Sequence, residues 1–231
     1  MDSIEHFAPI AIELSGLFPP PIDAGATPRR IDLSRGEMMR KSYHILAGLT
    51  AFAIRFVTPM TMVIVLIGFV LWNTFVWRFV PSSFRRMWRP TEHTKGAPSG
   101  IIVYCISVLA LSIVFFNHMW MTAAIWGVLA FGDGMATIVG RAIGGPRLPW
   151  NNRKGWYGSL SFVLFGTLGA AALIAWTRGV PFLPTLPMAA SLAIVCAVVE
   201  SLPLPLDDNI TVPLAGAIAL PLLAMVPFFT I

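Results

Sequence analysis

The sequence predicts an all-α, polytopic membrane protein with about seven transmembrane helices. Hydrophobic residues make up 56% of the 231 positions, charged residues make up 12%, and the mean hydropathy is +0.75. A soluble domain would carry roughly twice that charged fraction. A membrane span needs about 17–25 apolar residues, and the apolar runs predict seven spans. They lie at approximately 43–58, 60–80, 99–116, 119–140, 159–176, 187–202 and 210–229.

The chain is predicted to have two parts. Residues 1–36 suit a short interfacial helix, ended by Pro19-Pro20-Pro21 and followed by a polar linker. They show no basic-then-apolar order with a cleavage site, so we expect no secretory signal peptide. Residues 37–231 form the transmembrane domain that carries the candidate site.

The positive charges indicate the orientation of the chain. Fourteen of the sixteen Lys and Arg residues precede the first span or lie between spans 2 and 3 or spans 4 and 5, on one side of the predicted topology. Only Arg55 and Arg178 lie on the other side. The positive-inside rule makes the first side cytoplasmic, with the N-terminus inside and the C-terminus outside. The basic pI near 9.8 then reflects topology and anionic lipid headgroups, and needs no nucleic acid partner.

Acidic residues are rare in the second part of the chain. After Lys95 the only ones are Asp133, Glu200, Asp207 and Asp208. A carboxylate in hydrocarbon costs free energy unless it is paired, hydrated or bound to a metal, so such residues are functional candidates. The predicted topology puts all four near the cytoplasmic face, where they could form one cation site.

Asp133 lies on a helix face made of small and polar residues. If the fourth helix continues past Gly132, Asp133 shares this face with Ala136, Thr137, Gly140 and Gly144 at spacings of three and four. Close packing of two helices explains the small residues but not the acid. The face therefore predicts close approach by a ligand or by another helix.

The loop at 141–159 has the composition of an oxyanion site. It contains four cations and no acid, several glycines, and the start of the next helix near Gly158-Ser159. Glycine backbone N–H groups, Arg and Lys charges and a helix N-terminus all favour polyphosphate. The alternative is an ordinary positive-inside loop that touches lipid phosphate. The loop contains no Walker A sequence.

The third candidate segment follows Glu200. Pro203 and Pro205 are predicted to end helix 6, and Asp207-Asp208-Asn209 leads into helix 7. Carboxylate and amide oxygens suit Mg²⁺. The alternative is helix capping by Asn209 or Asp208, and both roles can hold together.

Two residues near the start of the first span complete the candidates. Lys41 and His44 are three residues apart and share a helix face with Arg40. A lone histidine at this position is more often an interfacial residue than a catalyst.

Taken in order, these motifs resemble the CTP-dependent polyisoprenoid-alcohol kinases, the group of phytol, farnesol and dolichol kinases and the CTP-dependent diacylglycerol kinase. Some members carry the label phosphatidate cytidylyltransferase. The resemblance covers roughly residues 38–216 and is closest to phytol and farnesol kinases. It rests on Arg40-Lys41 and His44, Gly132-Asp133-Gly134, Gly140-Arg141, Leu148-Pro149, Asn152-Arg153-Lys154, Gly158-Ser159, Glu200-Ser201-Leu202-Pro203, Leu206-Asp207-Asp208-Asn209 and Val212-Pro213-Leu214. One departure is Gly155, where relatives usually carry Ser or Thr.

The resemblance implies an integral membrane lipid-alcohol kinase with its active site at the cytoplasmic membrane face. It would transfer the γ-phosphate of CTP to an isoprenoid alcohol such as phytol, farnesol or a polyprenol, with Mg²⁺ as cofactor. Under this interpretation the catalytic residues are Asp133, Lys154, Glu200 and Asp208, and the metal ligands are Asp133, Asp207, Asp208 and Asn209. The nucleotide is bound by Gly140, Arg141, Gly144, Arg153, Lys154, Gly158 and Ser159. Two further candidates, Lys41 and His44, are peripheral.

Within this interpretation Glu200 orients or deprotonates the lipid hydroxyl, and we expect it to stand apart from the basic loop. Two alternatives remain open. A cytidylyltransferase or a diacylglycerol kinase acting on a glycerolipid would use the same nucleotide and metal. A cation-coupled transporter would use the acids as an ion site, although it would need a polar path to both faces.

Overall fold

The computed structural model describes residues 35–76, residue 79 and residues 99–229. This part of the chain is helical, which confirms the all-α class, and it contains seven main helices. These are α1 (Arg35–Leu49, continued by a 3-10 turn at Thr50–Phe56), α2 (Pro59–Phe75), α3 (Ser99–Val114), α4 (Met119–Ile143), α5 (Trp156–Arg178), α6 (Phe182–Ser201) and α7 (Asp208–Ala224), with a final 3-10 turn at Pro227–Phe229. The predicted interfacial helix and the basic segment at 80–95 lie outside the described residues.

Three helices are long and apolar enough to cross a membrane by length and composition, namely α4, α5 and α6. Helices α2, α3 and α7 are apolar but shorter. The seven-span topology and the orientation of the termini therefore remain predictions.

The first helix differs most from its prediction. It begins at Arg35 and not near Tyr43, so Lys41 lies within a helix and not ahead of one. An apolar run cannot predict this polar first half. Its side chains instead find partners in the cleft described below, where Lys41 and His44 contact α4.

Helix α5 packs between α4 and α6, and α7 packs against α6 and α3. Glycines permit the close approach of α4 to α5. A Cβ on Gly127 would meet the Gly169 backbone at 2.9 Å, and one on Gly140 would meet Gly158 Cα at 3.0 Å. Between these contacts the fully buried Phe162, together with other apolar side chains, fills the core. Small residues of this kind are common between helices in a bilayer. Lipid tails are as apolar as the side chains, so helices associate there through close packing and not through the hydrophobic effect.

The loop between α4 and α5 forms a short antiparallel hairpin of β1 (Arg147–Leu148) and β2 (Asn151–Gly155). Two hydrogen bonds dock the hairpin onto the end of α6. Trp150 Nε1 donates to Ser201 Oγ at 3.1 Å, and Asn151 Nδ2 donates to the Ser201 carbonyl at 3.0 Å. The hairpin therefore brings the basic loop to the end of α6.

Helix α4 contains one irregular stretch, a π-helical turn at Val128–Asp133. Such turns occur within α-helices and often mark functional sites. The Leu129 carbonyl in this turn lies 3.0 Å from His44 Nε2. Since a carbonyl only accepts, Nε2 carries the hydrogen.

Candidate active site

A cavity of about 480 Å³ opens where the first half of α1, the end of α4, the hairpin and the ends of α5 to α7 meet. Six cations and four acids line it, so the cavity is strongly polar at the end of an apolar bundle. They are Arg40, Lys41, Arg141, Arg147, Arg153 and Lys154, with Glu37, Asp133, Glu200 and Asp208.

Three of these acids form a cluster. Asp133, Glu200 and Asp208 each offer one carboxylate oxygen, and these oxygens lie within 4.8 Å of one another. Asp133 and Glu200 are buried, and Asp208 is partly exposed. Three carboxylates this close repel one another unless cations compensate them.

Asp133 is compensated from α1. Lys41 Nζ donates to Asp133 Oδ2 at 2.6 Å, and His44 Nε2 lies 3.5 Å from the same oxygen. Lys41 and His44, predicted to be peripheral, thus contact the central acid of α4 directly. The spacing of three on α1 is what aims both side chains at one residue.

Glu200 and Asp208 are compensated from the hairpin. Lys154 Nζ donates to Glu200 Oε1 and, at 2.9 Å, to Asp208 Oδ2. Burial disfavours the charged ammonium, but the two carboxylates outweigh it and raise the pKa of Lys154 above its ordinary value of 10.5. A raised folded-state pKa stabilises the fold fully below the unfolded value, and this stability is lost only at still higher pH. Lys154 therefore stays charged throughout the physiological range.

The contact between Lys154 and Glu200 corrects the expectation that Glu200 stands apart from the basic loop. Glu200 lies in the same cluster because the hairpin folds back over the end of α6. Positions 46 residues apart cannot be seen to meet from local spacing.

Asp207 and Asn209, predicted as metal ligands, do not line this cavity. Asp207 is the N-cap of α7, where its side chain accepts the Asn209 backbone N–H at 3.0 Å. The prediction that Asn209 or Asp208 caps this helix is therefore wrong, because the cap lies one residue before Asp208. Asn209 is buried and donates from Nδ2 to the Gly100 carbonyl at 3.2 Å.

The predicted nucleotide-binding residues line the wall formed by α4, the hairpin and the start of α5. Gly140, Gly144, Gly158 and Ser159 all border the cavity, with Arg141, Arg153 and Lys154. Helix α5 begins at Trp156, and its first turn presents backbone N–H groups and the positive end of the helix dipole. Four residues of the predicted α4 face line the cavity, namely Asp133, Ala136, Thr137 and Gly140. Gly144 also lines it but lies just past the end of the helix at Ile143, with a positive φ of 74°.

The cavity is also lined by three residues to which the sequence analysis assigned no role, namely Glu37, Arg40 and Arg147. Glu37 accepts a hydrogen bond from Arg141 and so joins α1 to the end of α4. The signal for Glu37 was its spacing of four from Lys41 and seven from His44, which continues one helix face.

The cluster fits Mg²⁺ by its donor chemistry. Mg²⁺ prefers carboxylate oxygens and commonly uses one or two of them together with phosphate oxygens. Asp133, Glu200 and Asp208 supply such oxygens beside a wall of cations that suits phosphate.

The fold and the cleft define a class: a helical protein with membrane-type helices and an anion-binding cavity that meets a carboxylate cluster. Comparison with curated proteins then identifies relatives. The chain is 35% identical over 144 residues (59% of this chain, 46% of the relative) to phytol kinase 1, chloroplastic, of Arabidopsis thaliana. It is 33% identical over 144 residues (59% and 45%) to a probable phytol kinase 1, chloroplastic, of Oryza sativa subsp. japonica. It is 31% identical over 126 residues (52% and 41%) to farnesol kinase, chloroplastic, of Arabidopsis thaliana.

The matched part of this chain is thus homologous to the phytol and farnesol kinases, and the resemblance inferred from the motifs is confirmed. The chain spans about half the length of the curated relatives it matches. No family model and no solved structure matches it.

Proposed function

We propose that this protein is an integral membrane lipid-alcohol kinase that transfers the γ-phosphate of CTP to an isoprenoid alcohol, with Mg²⁺, at the cytoplasmic membrane face. The observation that carries the proposal is the carboxylate cluster beside a cationic wall in one cavity at the end of an apolar bundle. Homology to phytol and farnesol kinases supports the same reaction.

In this reaction the alcohol oxygen forms a bond to the γ-phosphorus. The bond from the γ-phosphorus to the β–γ bridging oxygen breaks, and CDP leaves with that oxygen and its electron pair. The hydroxyl proton passes to a carboxylate. Such a transfer depends on positioning and charge neutralisation more than on covalent chemistry by the protein.

The donor side of the cavity would bind the triphosphate. Arg153 and Lys154 from the hairpin and Arg141 from α4 supply charge, and Gly158 and Ser159 at the start of α5 supply hydrogen-bond donors. Asp133, Glu200 and Asp208 would hold the metal, which when bound neutralises charge on the phosphate oxygens. Asp207 and Asn209 are left out of this ligand set because neither lines the large cavity.

We assign the hydroxyl proton to Asp133 in preference to Glu200. Asp133 borders both the large cavity and a smaller neighbouring one, whereas Glu200 borders only the large one. A residue that borders both cavities can contact an acceptor and a donor that enter from different sides. A weakly basic carboxylate suffices if the transition state is loose.

The test is the fate of labelled CTP with the purified protein, Mg²⁺ and a panel of phytol, farnesol, a polyprenol and diacylglycerol. A kinase moves the γ-label, and not the α-label, into the lipid and releases CDP. A cytidylyltransferase acting on a lipid phosphate moves the α-label and releases pyrophosphate. Transfer of the α-label, or no transfer to any alcohol, would overturn the proposal.

The membrane orientation has its own test. Reporter fusions after residues 97, 152 and 207 should be cytoplasmic, and fusions after residue 182 or at the C-terminus should be external. An external signal at 152 would separate the basic hairpin from cytoplasmic CTP and contradict the proposed face.

The transporter alternative requires a polar path away from the acids. The part of α4 that precedes Asp133 is buried and apolar in the described structure, from Ala123 to Ala130. This observation favours a site that opens on one side only.

A further inference from the structure

A second, smaller cavity lies beside the large one, between α1, the start of α3 and the start of α7. Its volume is about 30 Å³. It shares Arg40, Lys41, Asp133 and Asp208 with the large cavity, so these four charged residues form a common wall. The remaining lining comes from Tyr43, His44, Gly100, Ile101, Tyr104, Asp207 and Asn209.

Asn209 lines this cavity and carries an unpaired acceptor. The residue is only 7% exposed, and its Nδ2 donates to the Gly100 carbonyl at 3.2 Å. This bond fixes the amide orientation, because a flipped amide would set Oδ1 against the carbonyl. Oδ1 is then left buried with no hydrogen-bond partner. Burying such an atom without a partner is unfavourable, because it has lost the hydrogen bonds that water would give it.

Within the described residues, the other buried side-chain oxygen without a partner is Ser159 Oγ, which borders the large cavity. The two atoms differ in chemistry. A hydroxyl can donate to phosphate oxygens, which only accept, whereas an amide oxygen can only accept. Asn209 Oδ1 can be satisfied by a ligand that carries an O–H or N–H group, or by a cation, but not by an ionised phosphate, whose oxygens only accept.

We propose that Asn209 binds the hydroxyl of the lipid alcohol, with Oδ1 accepting the alcohol O–H in the small cavity. This inference rests on the proposed kinase function and adds the acceptor site to it. The volume suits a terminal CH₂–OH group and excludes the isoprenoid chain. The chain would lie outside the cavity, along exposed apolar residues of α7 such as Ile210 and Leu214.

This placement puts the alcohol and the triphosphate on different sides of the wall that contains Asp133. While the O–H points at Asn209, the lone pairs of the alcohol oxygen remain free to attack the γ-phosphorus. For the transfer, the O–H turns from Asn209 Oδ1 toward the Asp133 carboxylate. As the new O–P bond forms, the proton passes to that carboxylate, and CDP leaves with the electron pair of the broken P–O bond. Asn209 itself neither gains nor loses a proton.

The experiment compares an alcohol with its methyl ether, which has the same chain and oxygen but no hydrogen to donate. The substrate is the alcohol that wild-type protein phosphorylates best, and the ether is measured as a competitive inhibitor. The variants are Asn209→Leu, which keeps similar bulk without the acceptor, and Ser159→Ala, which removes the unpaired hydroxyl on the donor side. The KM for CTP and the Mg²⁺ dependence are measured alongside.

We expect wild-type protein to bind the alcohol at least about tenfold more tightly than the ether, since a buried acceptor left unpaired costs about 1.4 kcal/mol or more. In Asn209→Leu this ratio should fall to near one, with the KM for CTP and the Mg²⁺ dependence within about twofold of wild type. Ser159→Ala should do the opposite, with a raised KM for CTP and an unchanged ratio.

Four results would overturn the inference. If wild-type protein binds the alcohol and the ether with nearly equal affinity, the inference fails whatever the variants show. If Asn209→Leu keeps the wild-type ratio of alcohol to ether affinity, the small cavity holds only a water. If it keeps that ratio but needs more Mg²⁺, Asn209 is a metal ligand. If Asn209→Leu is not protected against heat by CTP, Asn209→Ala is measured instead. An alcohol-to-ether affinity ratio equal to that of wild type in Asn209→Ala again overturns the inference. Failure of wild-type protein to phosphorylate any alcohol overturns the kinase proposal itself.

Discussion

The two ends of the helix bundle hold their charges in different ways. At the cleft end, lysines pair with carboxylates, as Lys41 does with Asp133 and Lys154 with Asp208. At the opposite end, the Arg55 guanidinium lies 4.7 Å from the centre of the Trp176 ring, and Arg178 lies 5.0 Å from that of Trp120. The five acids of the described residues all lie at the cleft end.

The difference separates a reactive region from an anchoring one. A lysine paired with a carboxylate can exchange that partner for phosphate, and the carboxylate can exchange the lysine for a metal. An arginine stacked on an indole is attracted to the face of the ring, and this contact is worth about 0.5–2 kcal/mol. Charge at the far end thus suits the membrane interface, where aromatic and cationic side chains serve as anchors.

The largest effect should come from Asp133→Asn at the cleft end. Loss of this carboxylate should lower kcat/KM at least about a hundredfold, because charge neutralisation at a metal is worth several kcal/mol. It also leaves Lys41 buried without its ion-pair partner, so the melting temperature should fall. Activity with labelled CTP and thermal unfolding in detergent measure the two effects.

A double variant separates these effects. Asp133→Asn combined with Lys41→Met should regain part of the lost stability, since it no longer buries an unpaired ammonium, while its activity stays low. Recovery of activity in the double variant would show that Asp133 serves only to neutralise Lys41.

Lys154→Ala should raise the KM for CTP by about tenfold, because each charge-assisted hydrogen bond to phosphate is worth about 1.5–3 kcal/mol. The matched control is Arg178→Ala, which removes a cation at the far end and should leave the KM unchanged. Equal effects of the two substitutions on KM would mean that the cleft cations act through overall charge and not through contact.

A smaller effect distinguishes two adjacent acids. Asp207→Ala removes the N-cap of α7 and should lower the free energy of unfolding by about 1 kcal/mol with little loss of kcat. Asp208→Asn should lower kcat severely at nearly constant stability, because this side chain belongs to the carboxylate cluster. Exchanged phenotypes would assign the metal to Asp207 and the cap to Asp208.

The smallest effect is expected at the far end. Arg55→Ala removes the contact with Trp176 and a hydrogen bond to its carbonyl, and should cost about 0.5–1 kcal/mol of stability. Activity should not change, and thermal unfolding with a parallel kinase assay tests both parts. A loss of kcat would extend the functional region beyond the cleft.

Local regularities of the chain predicted much of this arrangement. Apolar runs indicated the helices, and helical spacing put Asp133, Thr137 and Gly140 on one face. The prolines after Glu200 indicated the end of α6, which lies at Ser201. Each of these features depends on residues within a few turns of one another, which is the range over which periodicity carries information.

What could not be predicted depends on contacts between distant segments. Lys41 and Asp133 are 92 residues apart, and only the packing of α1 on α4 brings them together. The hairpin is a similar case, since its docking on Ser201 depends on where α6 ends. The N-cap is Asp207 and not Asp208 because of where the backbone enters the helix. Composition alone cannot distinguish two adjacent aspartates as caps.

Because of the π-helical turn at Val128–Asp133, the position of Asp133 in the cleft depends on the number of residues in α4 as well as on their types. An α-helix advances about 100° per residue, so an extra residue accommodated in a wide turn resets the direction of every side chain after it. Deleting one residue within this turn would restore regular α-helix and swing Asp133 away from Lys41, with no change in the identity of either. Among homologues, gaps should therefore be absent between Val128 and Asp133.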